Sequence, residues 1–166
     1  PNLARTILKS EGYCEKNILT IPLTFRSNIP ADKLLALTWK ELIKRDLSDC
    51  IEIKLNGIES TTVYKQLSDG SYAAVILDWT GAYPDPEAYL SPLLSCKLII
   101  KETCEEGEAV FSGSFWALAK LQTALEESEK IYGEKRLEKL MKVEEYAAQG
   151  AAYLPIWLVR PRAWSQ

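Results

Sequence analysis

The chain has 166 residues, 47% of them hydrophobic and 26% charged, an ordinary globular composition and enough length for one domain (residues 1–166) with a real core. A formal charge of −3 argues against the basic face that nucleic-acid binding needs. With no histidine, neither a Ser-His-Asp nor a Cys-His constellation nor a histidine metal site can be built, and no run of about 20 apolar residues is present to span a membrane.

Pro1-Asn2 follows no initiator methionine and no charged-then-apolar leader, and reads as a cut into a longer chain or as a product of processing. Residues 3–11 place Leu3, Ile7 and Leu8 on one helical face and end at Gly12, a helix-stop signal. The β-branched apolar run at 18–25 predicts a strand, and Pro22 inside it predicts an edge or a bulge. A polar loop, Arg26-Ser27-Asn28, leads to Pro30 at the first turn of an amphipathic helix over 31–47, with Leu35, Trp39, Leu42 and Ile43 on its apolar stripe. Residues 50–55 alternate apolar and charged, which predicts a second strand, and Asn56-Gly57 predicts a turn. Ser60 is a candidate cap for a short helix that Gly70 closes. The nearly continuous apolar run at 73–79 predicts a third strand, covered on both faces.

An α-β-α-β-α-β order at this spacing predicts parallel strands with right-handed crossovers. Beyond it, residues 86–95 predict a short helix, and 97–111 a strand-like excursion around Glu105-Glu106-Gly107. Helices are expected at 115–129, with Leu118, Leu121 and Leu125 inward, and at 133–149, with Leu137, Leu140 and Met141 inward. On the latter, Lys135, Arg136, Lys139 and Lys142 alternate with glutamates as a solvated face. The run 153–159 predicts a last strand, placed near an edge by Pro155.

Cys14, Cys50, Cys96 and Cys104 lack the CxxC spacing of a zinc site. If the first two strands are parallel neighbours, Cys14 and Cys50 lie at the same end of the sheet within bridging reach, and Cys96 and Cys104 close a short loop. Two disulfides would indicate an oxidising compartment; four separate buried thiols remain the alternative.

Ligands of open parallel sheets bind beyond the carboxyl ends of the strands. Three such ends are named here: Arg26-Ser27-Asn28, Asn56-Gly57 and the loop from Asp78 to Pro86. The third combines Gly81, two prolines, Trp79 and Tyr83, which suits it to hold aromatic faces and backbone groups against an extended polar ligand. No phosphate-binding glycine pattern stands at a strand–helix junction, and no residue reads as an activated nucleophile, so no catalytic residue, cofactor or metal is assigned. The 23 acidic residues leave a carboxylate mechanism in a small stand-alone α/β enzyme as the competing reading, and an adaptor domain as a third.

The succession NGIES (56–60), YKQLSDG (64–70), VILDWTGAYPDPEAYL (75–90) and AAYLPIWLV (151–159) resembles the C-terminal lobe of the extracytoplasmic solute-binding proteins of peptide-type ABC transporters, which carry oligopeptides, dipeptides or nickel chelates. Trp79, Tyr83, Pro84, Asp85 and Pro86 form its most specific element. The resemblance implies an α/β fold with a mostly parallel sheet and flanking helices, one lobe of a type II periplasmic-binding-protein-like fold. It implies a bilobal, non-catalytic protein that closes on a peptide or other small solute, with an N-terminal lobe in the same chain and ABC permease subunits as partners. Its location would be periplasmic, or extracytoplasmic and membrane-anchored. The ligand would pair with backbone at residues 77–81. The implied ligand-binding residues are therefore Leu77, Asp78, Trp79, Thr80, Gly81 and Tyr83, with Arg26 and Ser27 as secondary contacts. One departure bears on the ligand: Ala82 stands where several members carry an acid for the peptide's α-amino group, and neither Asp78 nor Asp85 occupies that position.

Overall fold

The structure, a computed structural model, describes residues 1–158. The chain divides into two units, Pro1–Ala82 with Val110–Gly113, and Tyr83–Ala109 with the chain from Ser114 onward.

The first unit has the predicted order: α1 (Asn2–Ser10), β1 (Leu19–Arg26), α2 (Pro30–Leu47), β2 (Ile51–Ile58), α3 (Ser60–Gln66) and β3 (Ala74–Val75). The strands form a parallel sheet in the order β2-β1-β3, so the architecture is α/β with flanking helices. Leu23, Phe25 and Ile53 meet Ala36 of α2 in the core, with Trp39 and Ile43 packed alongside. The buried stripe of α2 thus runs through positions 32, 36, 39, 43 and 47, a regular three-or-four spacing, and Leu42, expected on it, is exposed. On α1, Arg5 bonds to Asp49 and to the Asp46 carbonyl, while Leu3 and Ile7 are exposed.

Four local expectations are corrected here. Pro22 lies in the central strand rather than at an edge. The N–H groups of Leu19 and Ser27 point to β2, so odd-numbered residues of β1 serve that side and even-numbered ones serve β3. Pro22 therefore lacks its donor on the β3 side, where pairing begins only at Leu23. Asn56-Gly57 is no turn; it continues β2, opposite Thr24 and Phe25. A Cβ on Gly57 would stand 2.9 Å from the Phe25 ring, so the glycine here makes room for a core aromatic. The cap of α3 is Glu59, whose carboxylate accepts from the N–H groups of Thr61 and Thr62, while the Ser60 hydroxyl donates to Asn28. The third strand keeps only two paired residues, neither fully buried; the chain leaves the sheet after Ile76 donates to the Thr24 carbonyl.

The second unit contains α4 (Glu87–Leu94), an antiparallel hairpin of β4 (Leu98–Ile100) and β5 (Thr103–Glu106), α6 (Ala119–Ser128) and α7 (Glu134–Gly150); a single turn, α5 (Glu108–Phe111), follows the hairpin, its last two residues counted with the first unit. Leu94, Leu121, Ala124, Leu125 and Val143 form its core. α6 starts four residues later than predicted, because Trp116 bridges to Thr103 and Leu118 is extended. On α7 the inward residues are Leu140 and Val143, with Ala147 beside them; Leu137 and Met141 point outward. No strand forms over 153–158, where Leu154, Ile156, Trp157 and Leu158 are exposed, and Val159 lies outside the described residues.

Disulfides join Cys14 to Cys50 and Cys96 to Cys104, one within each unit. Among the described residues, no helix is long and apolar enough to cross a membrane.

Candidate functional site

At the carboxyl end of the parallel sheet, β1 finishes in a charged residue that the fold buries. Arg26 grips Asp32, in the first turn of α2, through two bonds, Nε to Oδ2 at 2.7 Å and Nη2 to Oδ1 at 3.1 Å. Its remaining nitrogen, Nη1, donates to the Tyr64 hydroxyl on α3 at 2.9 Å and to Oδ1 of Asp78; that hydroxyl in turn donates to the same Oδ1. Three elements thereby fix the first residue of the loop. The bond to Asp32 raises the Arg26 pKa further above its ordinary value. The Tyr64 hydroxyl, helped by the Arg26 charge, holds the Asp78 carboxyl below the usual carboxylate range despite partial desolvation. Burial, then the bond to Asp78, pushes the Tyr64 phenol up.

Past this anchor, residues 77–82 belong to no strand, and β3, from which they emerge, is the last strand on that side among the described residues. Trp79 is 47% exposed, Thr80 is exposed, and Leu77 and Gly81 are half-buried. Such a segment offers backbone donors and acceptors beside an open aromatic face, the parts that strand addition uses.

In the second unit the Tyr-Pro-Asp-Pro run is held by its own set of bonds. Asp85 accepts a fork from Arg136 of α7 at 2.8 and 2.9 Å and also accepts from the Glu87 N–H at the start of α4. The Arg136 guanidinium lowers the Asp85 pKa, and Asp85 raises that of Arg136. Tyr83, 51% exposed, donates to Glu87, whose carboxylate raises the phenol's pKa. A shallow cavity of about 470 Å³ opens here, with Asp85, Glu87, Glu129, Tyr132 and Arg136 on its wall. Arg136, expected on a solvated face, is instead a structural clamp for the loop.

No family model and no curated protein matches the chain. Solved structures do match it. The Escherichia coli murein tripeptide binding protein MppA superposes with a TM-score of 0.76 at 18% identity, over 91% of this chain and 27% of its own. Haemophilus influenzae OppA, in complex with RPPGFSPFR, gives 0.73 at 20% identity, over 87% of this chain and 26% of its own. The ABC transporter-associated periplasmic binding protein DppA from Helicobacter pylori, in complex with the peptide STSA, gives 0.69 at 21% identity, over 92% and 27%. The fold is that of periplasmic peptide-binding proteins. This chain spans about a quarter of the length of these three proteins.

Within this fold, the expected site residues fall in different settings. Leu77, Asp78, Trp79, Thr80 and Gly81 lie together in the irregular segment of the first unit; Tyr83 begins the second unit. Ser27 is exposed, its N–H bonded to the Ile58 carbonyl. Arg26 is not a surface contact: its side chain is 6% exposed and all its nitrogens are engaged within the protein. Asn56-Gly57, expected at the carboxyl end of the second strand, lies inside β2, and the end moves to Ile58. Sequence reasoning missed Tyr64 and Asp32. The one local signal was proximity: Asp32, in the next helix's first turn, is the carboxylate nearest to Arg26 in the sequence.

Proposed function

We propose that this chain is the single-domain ligand-binding lobe of a substrate-binding protein serving an ABC importer, taking a peptide or a related small solute in an extracytoplasmic compartment without catalysing any reaction. The observation that carries this reading is the irregular, outward-facing segment 77–81 with half-exposed Trp79 at the carboxyl end of a parallel sheet, in a chain whose peptide-binding fold is matched over about nine tenths of its length. The ligand-facing residues are Leu77, Asp78, Trp79, Thr80, Gly81 and Tyr83, with Ser27 nearby in the first unit's loop. The second half of the cleft, in this reading, is the N-terminal lobe of the same chain, and the permease subunits receive the loaded protein.

One feature favours this over the enzymatic reading and another over the adaptor. Every described carboxylate with a resolved pKa shift (Asp46, Asp78, Asp85 and Glu145) moves downward, away from what a general acid requires. Trp79 and Tyr83 are half-exposed rather than packed as an adaptor's inert loop would have them. The test is calorimetric titration of peptides into the complete protein that carries this chain, wild type and Trp79→Ala. Anchoring aromatics often carry about 2 kcal/mol, so the substitution should weaken binding by more than about tenfold. Unchanged affinity would remove Trp79 from the site, and absence of peptide binding by the wild type would sink the proposal.

A further inference from the structure

The two disulfides differ in their access to solvent. Cys14 and Cys50 are 6% and 0% exposed, so neither is open to a thiol in solution. In the second unit Cys104 is 1% exposed, but its partner Cys96 is half-buried and lines a cavity of about 160 Å³. Thiol–disulfide exchange needs an approach to one sulfur only, so Cys96 is the point of entry. The same wall carries Glu108, Glu126 and Glu129 against one lysine, Lys97, which itself pairs with Glu106. A thiol arriving with a negative charge is repelled there, and a neutral or cationic one is not.

Opening this bond leaves the surrounding structure in place. Cys96 Sγ lies 3.1 Å from the Leu98 carbonyl oxygen and 3.4 Å from that of Glu106, and Cys104 Sγ lies 3.4 Å from the latter, so each thiol has an acceptor at hand. The hairpin keeps bonds that involve no sulfur. The Lys97 N–H donates to the Glu106 carbonyl at 2.7 Å, that of Cys104 to Phe115 at 2.7 Å, and that of Ala117 to Glu102 at 3.0 Å. From α6, Gln122 accepts from the Cys96 N–H at 2.9 Å. What the bridge does constrain is the turn. Ile100 pairs with Thr103, so Lys101 and Glu102 form a two-residue connection with φ of 48° and 66°. Glycine and asparagine suit such positions; lysine and glutamate are held there at a cost in strain. The bridge from Cys96 to Cys104 closes the ring that contains them.

We propose that Cys96–Cys104 is an exchangeable disulfide, opened at Cys96 by a neutral or cationic dithiol, and that its redox state sets the mobility of the β4–β5 hairpin while Cys14–Cys50 stays closed. A thiolate of the dithiol attacks Cys96 Sγ. The S–S bond breaks, and its electron pair leaves on Cys104 Sγ, which takes up a proton. The second thiolate of the dithiol then attacks the sulfur now bound to Cys96 and displaces Cys96, which is protonated in turn. Two electrons and two protons pass to the protein, and the dithiol becomes a disulfide. This exchange is independent of the binding role proposed above. A small dithiol and the Cys-X-X-Cys pair of a protein share the chemistry.

The experiment exposes the complete native protein, without denaturant, to dithiothreitol or to reduced thioredoxin, quenches at intervals with excess iodoacetamide, and maps the alkylated cysteines by mass spectrometry. Cys96 and Cys104 should be alkylated at least about tenfold faster than Cys14 and Cys50, since only the first pair is reached without local unfolding. Opening by dithiothreitol alone assigns a small reductant, and opening by thioredoxin a protein one; both support the exchange. Cysteamine, 2-mercaptoethanol and mercaptoethanesulfonate, a cationic, a neutral and an anionic monothiol, report the first step. Their adducts should form on Cys96 and not on Cys104. Relative to their rates on an unhindered model disulfide, they should slow in that order by about three- to tenfold from first to last, and converge at about 0.5 M salt. In the opened protein, and in Cys96→Ser combined with Cys104→Ser, the amides of residues 98–106 should exchange hydrogen about tenfold faster, with those of α6 and α7 unchanged. Equal opening of the two disulfides, no opening by either reductant, adducts on Cys104, or unchanged hairpin amides after opening would overturn the proposal. Equal rates for the cationic and anionic thiols at low salt would overturn its charge preference.

Discussion

Arg26 shows how a buried residue can set the position of a site at the surface. The apolar run before it reads as a strand, and a charged residue at its end reads as the first solvent-facing position. The sequence could not show that α2 turns back over that end, which brings Asp32 beneath the guanidinium. With both partners buried, the strength of the pair lies in what its breaking would leave behind. Arg26→Ala strands the Asp32 carboxylate and should cost about 3–5 kcal/mol. Replacing both by apolar residues, Arg26→Leu with Asp32→Leu, should cost much less, since no charge is then left unpaired. Asp78→Asn touches only the exposed partner and should cost about 1 kcal/mol or less. Urea unfolding of the three variants against the wild-type chain checks the order; a double variant as unstable as Arg26→Ala would mean the packing of the arginine stem, not its charge, is what counts. Tyr64 went unseen for a related reason. It is 45% exposed on α3, and nothing local in the sequence reveals that its hydroxyl meets a loop fourteen residues later.

At the level of elements, what could be read from the sequence was periodicity, and what could not was pairing. The three α-β steps, α4, the hairpin region and the last two helices stand where hydrophobic spacing put them. The apolar runs at 73–79 and 153–159 were read as strands because apolar continuity signals burial, but a strand exists only beside a partner, and pairing takes up just Ala74–Val75 of the first and none of 153–158 in the second. Pro22 misled in the opposite direction: its missing donor is harmless in a central strand because one neighbour is too short to ask for it. The loop at 78–86 was legible as a segment built from residues of special conformation; its two anchors, Arg26 and Arg136, were not, since each lies about fifty residues away in sequence. The disulfides were open to reading in part, as a shared sheet end and a short loop, and they differ in what they hold. Cys14–Cys50 spans 36 residues and Cys96–Cys104 spans 8. Loop-closure entropy assigns about 4 kcal/mol to the longer span and about 2.5 kcal/mol to the shorter. Replacing the Cys14 and Cys50 pair by serine should therefore lower the thermal midpoint of the chain more than the same change at Cys96 and Cys104. The reverse order would mean that native packing around the hairpin, rather than chain entropy, sets the contribution.

For the molecule as a whole, the absence of histidine removes the side chain that ordinarily titrates near neutrality, and the shifted groups that remain lie at the two ends of the pH scale. Each unit has one depressed aspartate and one elevated tyrosine beside the loop: Asp78 and Tyr64 in the first, Asp85 and Tyr83 in the second. An aspartate whose folded pKa is depressed contributes stability that is present above its unfolded value of about 3.9 and is lost as pH falls through the lower folded value. A tyrosine whose folded pKa is raised contributes stability that is present below its unfolded value of about 10 and is lost as pH rises through the higher folded value. The thermal midpoint of the chain should then run flat between about pH 5 and 9, with an acid limb below about pH 4 and an alkaline limb above about pH 10. Scanning calorimetry across that range reads all three regions at once. Asp78→Asn combined with Asp85→Asn should shallow the acid limb, and Tyr64→Phe the alkaline one, while the plateau keeps its shape in both. A step between pH 5 and 8 would contradict the assignment, since no described group with a resolved shift is placed to produce it.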